Sequence, residues 1–490
     1  MLAISADSEA GLHASCSQQS RPPQAHTGCA HLRRMRPLPA LCTTRSKINS
    51  GLTNLAERQR DHSERDTTMQ APANAENRGK EADFRLNELF FSRTDPGGII
   101  KAGNSIFQRV SEYEAQDLWD KPHKLIRHPD TPRGVFYKLW STIKAGQPIG
   151  AYVKNSSKSG KYYWVYAVVA PVDGGYLSIR LKPTSSLFDK VRDLYIVQAG
   201  RERTEGLDPA QSADEIDQAL GKLGFESYEA FMSQALKQEL DARDRGLGRS
   251  TSTLSSNFDR LHKSANVLLD DIKAISASLD SVKNTPFNLR IFASQMGDEG
   301  EGLAVIAANY VTLLEELRAL LSEFDNTATD IANSLDEALL LNFIVQLQRE
   351  MIDFFQSEEG ATDGVDKEAE TDQLERLSGT FNERAQLALN TVRARCMNLP
   401  GACQAMKRQA TALDVIRLMA KVEMSNNDQN SGIILELEQR LEACQETLQS
   451  ALNNIARESM QTLNAIRDMA RLNEIATRDA GTSQALAKAS

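Results

Sequence analysis

Aromatic residues are scarce and unevenly placed. Of 16 Phe, 10 Tyr and 3 Trp, none lies in residues 1–80, 15 lie in residues 84–183 and 14 are spread over residues 184–490. A stretch without aromatics and rich in Ser, Thr, Gln and Pro cannot bury enough surface to offset its ordering entropy, so residues 1–80 are expected to be a disordered leader. Its Arg-rich piece around Arg33, Arg34 and Arg36 suits a binding tail or a start codon assigned too early, with Met69 opening a cleaner polar leader. Cysteine is sparse as well: Cys16, Cys29, Cys42, Cys396, Cys403 and Cys444 show no C-x-x-C spacing, and no secretory signal opens the chain, which points to reduced thiols in a cytoplasm. Long apolar runs are missing, the longest (Leu339–Val345 and Val165–Val172) being far shorter than the roughly 20 residues of a membrane span, so no membrane crossing is expected. Basic excess is missing too. With 66 acidic and 57 basic residues, a net charge of −9 and no Lys/Arg stripe interleaved with aromatics, a nucleic-acid partner is set aside.

Within residues 84–183 short apolar runs alternate with turns. Strands are predicted at Leu86–Phe91, Gly98–Ala102, Ile149–Asn155, Tyr162–Val172 and Gly175–Lys182, with a helix over Thr131–Ala145 closed by Gly146. Ser156–Lys161 and Asp173-Gly174-Gly175 read as hairpin turns. These elements predict an α+β domain, a five-stranded antiparallel sheet with flanking helices. Residues 184–250 are charged and helical and read as a connector. From Leu254 the apolar positions Phe258, Leu261, Ala265, Leu268, Ile272, Ile275, Leu279 and Val282 step by four and three, the spacing of a coiled coil, with Pro286 expected to kink or divide the helix. Three glycines, Gly297, Gly300 and Gly302, make a turn, beyond which Leu303, Ile306, Tyr310, Leu313, Leu317, Leu320 and Phe324 resume the step. Residues 251–356 are therefore a helical hairpin, and residues 370–480 a second one, with a break near Leu399 and a turn at Ser425–Asp428. The two hairpins could build a four-helix bundle in one chain or pair across a dimer.

The most specific string is Lys121-Pro122-His123-Lys124-Leu125-Ile126-Arg127-His128-Pro129-Asp130-Thr131-Pro132, just before the predicted helix. Asp130 suits a helix cap there, and the two histidines, five apart with no third ligand in view, do not make a metal site. Together with Ser92-Arg93-Thr94-Asp95, Ala102-Gly103-Asn104-Ser105-Ile106-Phe107, Phe136, Trp140, Val153-Lys154-Asn155 and Tyr162-Tyr163-Trp164-Val165, this string resembles the PAS domain of bacterial aerotaxis receptors over about 100 residues. The resemblance implies non-covalently held FAD and a redox or oxygen signal. It places His123, Arg127, His128 and Asp130 in the flavin-associated motif and Trp140 and Asn155 along the same cleft. Arg127 has forked donors for the diphosphate or ring oxygens, and the Asn155 amide can meet the ring edge. Three positions depart from the family pattern: Glu112 replaces a small residue, Thr131 a Met, and Ile149 an aromatic, which removes a stacking partner.

The segment Asn288–Ala307 resembles, more weakly, the hairpin tip of methyl-accepting chemotaxis receptors, with Phe292, Gln295, Asp298 and Glu301 in place of the family's contact residues. No second methylatable pair accompanies Glu315-Glu316, and no ATP-binding boxes follow His262. No enzymatic activity is expected. The sequence thus points to a cytoplasmic signalling protein, expected to be a homodimer, that passes its signal by contact to a chemotaxis kinase, a coupling protein or another partner. The rival expectation is a cofactor-free dimerisation and scaffold module.

Overall fold

A computed structural model of the chain describes residues 77, 79–358, 364–424 and 431–489. The expected leader, apart from its last few residues, and the turn at Ser425–Asp428 lie outside them. Strands β1 (Leu89–Thr94), β2 (Ile100–Gly103), β3 (Ile149–Ser156), β4 (Tyr162–Val172) and β5 (Gly175–Leu181) form one antiparallel sheet in the order β2-β1-β5-β4-β3. This is the fold class read from the sequence. The β4–β5 turn requires Gly175, because a Cβ there would collide with the Thr94 carbonyl. Helices α1 (Ser105–Ser111), α2 (Ala115–Leu118) and α3 (Arg133–Lys144), with a 3₁₀ turn at His123–Ile126, lie on one face of the sheet.

The opposite face is also apolar: β4 is buried from Tyr163 to Ala170, a run that needs cover on both sides. Helices α4 (Ser186–Glu205) and α6 (Tyr228–Gly246) supply it, joined by α5 (Pro209–Lys222), which packs on α3. Phe188 meets Tyr152 and Trp164, Phe231 meets Tyr152, and the Tyr166 hydroxyl donates to the Met232 carbonyl. The segment expected to be a connector is thus built onto the sheet. Buried Arg243 of α6 donates to the carbonyls of Leu86 and Asn87 and pairs with Glu350, so the residues just before β1 are anchored rather than extended as strand.

The rest is helical. Helix α7 (Thr253–Ser281) is followed by α8 (Thr285–Gln295), which carries Pro286 in its first turn, where a missing N–H costs nothing. A 3₁₀ turn at Gly297–Gly300 then leads into α9 (Glu301–Ser357). At this tip Gly300 lies against the Ala293 backbone, where a Cβ has no room. Helices α10 (Lys367–Met424) and α11 (Ser431–Ala489) complete the set. α7 packs on α9 and α11, and α10 packs on the same two, so a four-helix bundle closes within one chain. In α9 the seam runs Leu303, Ala307, Tyr310, Leu314, Leu317, with Leu313 and Leu320 as half-buried flanks. The break expected near Leu399 is absent: α10 runs through Pro400, and buried Leu399, Cys403 and Met406 hold both sides of it against the bundle.

One buried carboxylate carries a pH prediction. Asp336 of α9 accepts a hydrogen bond from Ser233 of α6 and lies 4.0 Å from His262 of α7, and burial, with a smaller contribution from Glu226 and Glu229, pushes its pKa up to about 6. The folded state then binds more protons than the unfolded state between about pH 4 and 6. The contribution of this carboxyl to stability should fall as pH rises through that window and stay level above it. Asp336→Asn should therefore raise the melting temperature by about 2–4 °C at pH 7.5 and leave it unchanged at pH 4, as read by calorimetry at the two pH values.

Candidate ligand-binding cleft

Strand alternation places Phe90 and Ser92 of β1, Ser178 and Arg180 of β5, Tyr163 of β4 and Asn155 of β3 on the face that α1 to α3 cover. Phe107 of α1 stacks on Phe90 with ring centroids 5.6 Å apart, and the His123 ring lies parallel to Phe107 at 6.2 Å. Arg180 is 4 % exposed. Its guanidinium donates to Ser92 Oγ at 2.9 Å and to His123 Nε2 at 2.8 Å, and sits 5.4 Å from the Phe90 ring and 5.8 Å from the Phe107 ring. A guanidinium only donates, so His123 Nε2 accepts and the imidazole is neutral. Burial, with the charges of Arg180 and Arg127, holds the His123 pKa well below its ordinary value.

Three buried polar atoms on this face have no hydrogen-bond partner: Asn155 Nδ2, Tyr163 Oη and Ser178 Oγ. Asn155 and Tyr163 face each other across β3 and β4, and burial raises the tyrosine's pKa. The Arg127 backbone bridges to Asn155, and its guanidinium lies 3.9 Å over the Phe136 ring. Trp140 of α3 covers one end of the face, edge-on to Tyr176 at 5.6 Å and close against Gly98.

His128 and Asp130 do not join this group. The Asp130 carboxylate accepts from Lys154 Nζ at 2.8 Å and approaches Arg203 of α4 at 3.5 Å, at the outer edge of β3. His128 Nδ1 accepts from the Asp130 backbone N–H, and burial and Lys154 lower its pKa to about 4. Nor does Asp130 cap α3. That role falls to Glu202 of α4, whose carboxylate accepts from the N–H groups of Arg133 and Gly134 at 2.8 and 3.0 Å. The six residues picked from the sequence thus divide into His123, Arg127, Trp140 and Asn155 along the helix-covered face and an edge pair, His128 and Asp130. Ser92, Tyr163, Ser178 and Arg180 were not among them, although Ser178 and Arg180 alternate with Leu177, Ile179 and Leu181, a pattern that places both on one face.

The three departures from the family pattern are absorbed locally. Glu112, in a left-handed conformation, accepts from Ser157 Oγ, Ser159 N–H and Lys161 Nζ and so ties α1 to the β3–β4 hairpin. Burial alone would raise its pKa, but those donors outweigh it and bring the pKa to about 2. Thr131 Oγ1 accepts from the Lys154 N–H and donates to the Lys154 carbonyl. Ile149 is fully buried opposite Val169 and gives the sheet an aliphatic wall.

Among the described residues no helix is long and apolar enough to cross a membrane. Residues 102–178 match the PAS fold family. Over 116 residues the chain is 40 % identical to the aerotaxis receptor of Escherichia coli (strain K12), a match that covers 22 % of this chain and 23 % of the receptor, so it spans less than a quarter of that relative. Solved structures that match part of the chain include a PAS domain from Colwellia psychrerythraea, at 18 % identity over 20 % of this chain and 86 % of that one (TM-score 0.17). A fungal LOV domain photoreceptor is 15 % identical over 21 % and 80 % (TM-score 0.17). An RNA-binding light-oxygen-voltage receptor is 16 % identical over 34 % and 40 % (TM-score 0.19). Scores this low bear on neither ligand nor partner.

Proposed function

We infer that this chain is a cytoplasmic sensor whose PAS cleft holds a flavin, FAD by its likeness to the aerotaxis receptor, and whose helical bundle relays the signal by protein contact. The observation that carries the reading is the set of unpartnered buried atoms, Asn155 Nδ2, Tyr163 Oη and Ser178 Oγ, on one face of the sheet. Each such atom costs about 1–3 kcal/mol when left unpaired, and Asn155 and Tyr163, side by side across β3 and β4, suit a bound molecule with a polar edge. The residues fit a flavin: Asn155 and Tyr163 offer hydrogen bonds to ring oxygens and nitrogens, and Arg180 a cation. Trp140 and the Phe90–Phe107–His123 stack give apolar flat surfaces, and Arg127 a second guanidinium for ring or diphosphate oxygens. Bound there, FAD would supply electron transfer and a change of charge on reduction. The chain's own part is to hold the ring, keep water from it and pass on the change; no catalytic step is assigned to it.

β1 offers the path. Ser92 faces the cleft, while the next residue, Arg93, faces the other way and pairs with Glu370 at the start of α10. The protein acts as a homodimer, with the bundle seam already closed inside each protomer. The altered tip residues favour an output partner whose contacts differ from those of the usual chemotaxis kinase or coupling protein. The deciding measurement is an absorbance spectrum of the purified full chain, before and after reduction. A flavin spectrum at near one FAD per chain is expected; a colourless, folded protein after flavin supplementation would reduce the cleft to a cofactor-free scaffold.

A further inference from the structure

We propose that Arg180 is a binding residue for an anionic group, and that the ligand of the cleft supplies the counter-charge the protein lacks. The inference rests on the cleft reading above and adds the ligand's charge to it. The two polar groups that the Arg180 guanidinium touches, Ser92 Oγ and His123 Nε2, are both neutral, and the flanking surfaces are the Phe90 and Phe107 rings. Among the described residues no carboxylate lies within 4.0 Å of it, whereas Arg93 has Glu370, Arg243 has Glu350 and Arg417 has Asp414. A buried charge without a counter-charge is costly and is retained where something outside the chain pairs with it. Burial already lowers the Arg180 pKa, to about 10, which still leaves the group charged at neutral pH. The unpaired hydroxyls of Tyr163 and Ser178 on the same face can donate, and the Asn155 Nδ2 amide, further along it beside Tyr163, can only donate. Donors and a cation on one face select a ligand edge that is anionic or rich in acceptors.

Arg180→Met tests this, because Ser92 Oγ lies 3.3 Å from His123 Nε2 and can donate to it once the guanidinium is gone. The full chain, stripped of bound small molecules, is melted as wild type, Arg180→Met and Arg180→Lys, and FAD binding to each is titrated by fluorescence quenching. The methionine variant should melt no lower than wild type without ligand, lose about tenfold or more in FAD affinity, and have part of that loss recovered in the lysine variant. A ligand-free methionine variant that melts well below wild type would make Arg180 a structural tie and overturn the proposal, as would undiminished FAD affinity. Wild type that takes up no FAD would sink the flavin reading instead, while the ligand-free melting comparison would still decide whether Arg180 is an uncompensated cation.

Discussion

Glu239→Ala should lower the stability of the sheet domain by about 3–5 kcal/mol, the scale for leaving several buried donors unpaired beside a new cavity. Glu239 lies on α6 and is fully buried. Its carboxylate accepts from Tyr152 Oη at 2.7 Å, Ser185 Oγ at 2.5 Å and the N–H groups of Thr184 and Ser185 at 2.7 and 3.1 Å. Those donors come from β3 and from the junction where β5 gives way to α4, so one side chain fixes the outer face of the sheet at its end. Alanine leaves all of them buried and unpaired and opens a cavity besides. Glu239→Gln keeps one acceptor oxygen and should lose less than half as much. Urea denaturation followed by near-ultraviolet circular dichroism reads both, since Tyr152 and Trp164 pack beside Phe188 of α4. A loss below about 1 kcal/mol for the alanine variant would show that water or neighbouring groups replace the carboxylate.

The elements with a regular period were legible in the sequence. The α7 seam from Phe258 to Leu279 is buried as its four-three spacing implies, because one stripe on a helix meets one neighbour whichever helix that is. Strands β3 to β5 were legible for a similar reason: a turn fixes the register of each hairpin. The packing of the helices in residues 184–250 is not legible in the sequence, because they expose many charges and only the apolar second face of β4, itself a tertiary feature, shows that they must pack. Asp130 illustrates a different limit. A carboxylate before a helix is a good cap on local grounds, but Glu202, 72 positions further along, takes the site, and Lys154 draws Asp130 to the sheet edge. The centre of the cleft was only partly legible, because His123 stands in the distinctive string while its partners Ser92 and Arg180 come from two separate strands. Arg180 taken alone is a charged residue in a short strand, which ordinarily faces water; its burial follows only from the helices laid over that face.

The second large effect is expected at the joint between sheet and bundle. Arg93 holds Glu370 with two donors, Nε at 2.9 Å and Nη2 at 2.6 Å, and the Glu370 side chain is only 5 % exposed. Around this pair Phe91 packs edge-on against Phe355 at 4.9 Å, and Asn104 Nδ2 donates to Glu358 Oε1 at 2.6 Å. Arg93→Ala should cost about 2–3 kcal/mol, less than a fully enclosed pair because Arg93 is itself a quarter exposed, while a double-mutant cycle with Glu370→Gln should show a coupling of about 1–3 kcal/mol. Successive strand residues point to opposite faces, so this cut falls on the bundle side of β1 and leaves Ser92 and the cleft intact. Hydrogen exchange should therefore quicken in the first turns of α10 and the last turns of α9, with FAD affinity unchanged. Arg180→Met should do the reverse, weakening FAD and leaving exchange in α10 as it was in the ligand-free protein. If Arg93→Ala weakened FAD as much as Arg180→Met does, the two faces of β1 would not be separable and the strand would not be the relay; if exchange in α10 did not change, the Arg93–Glu370 pair would be a surface contact without influence on the bundle.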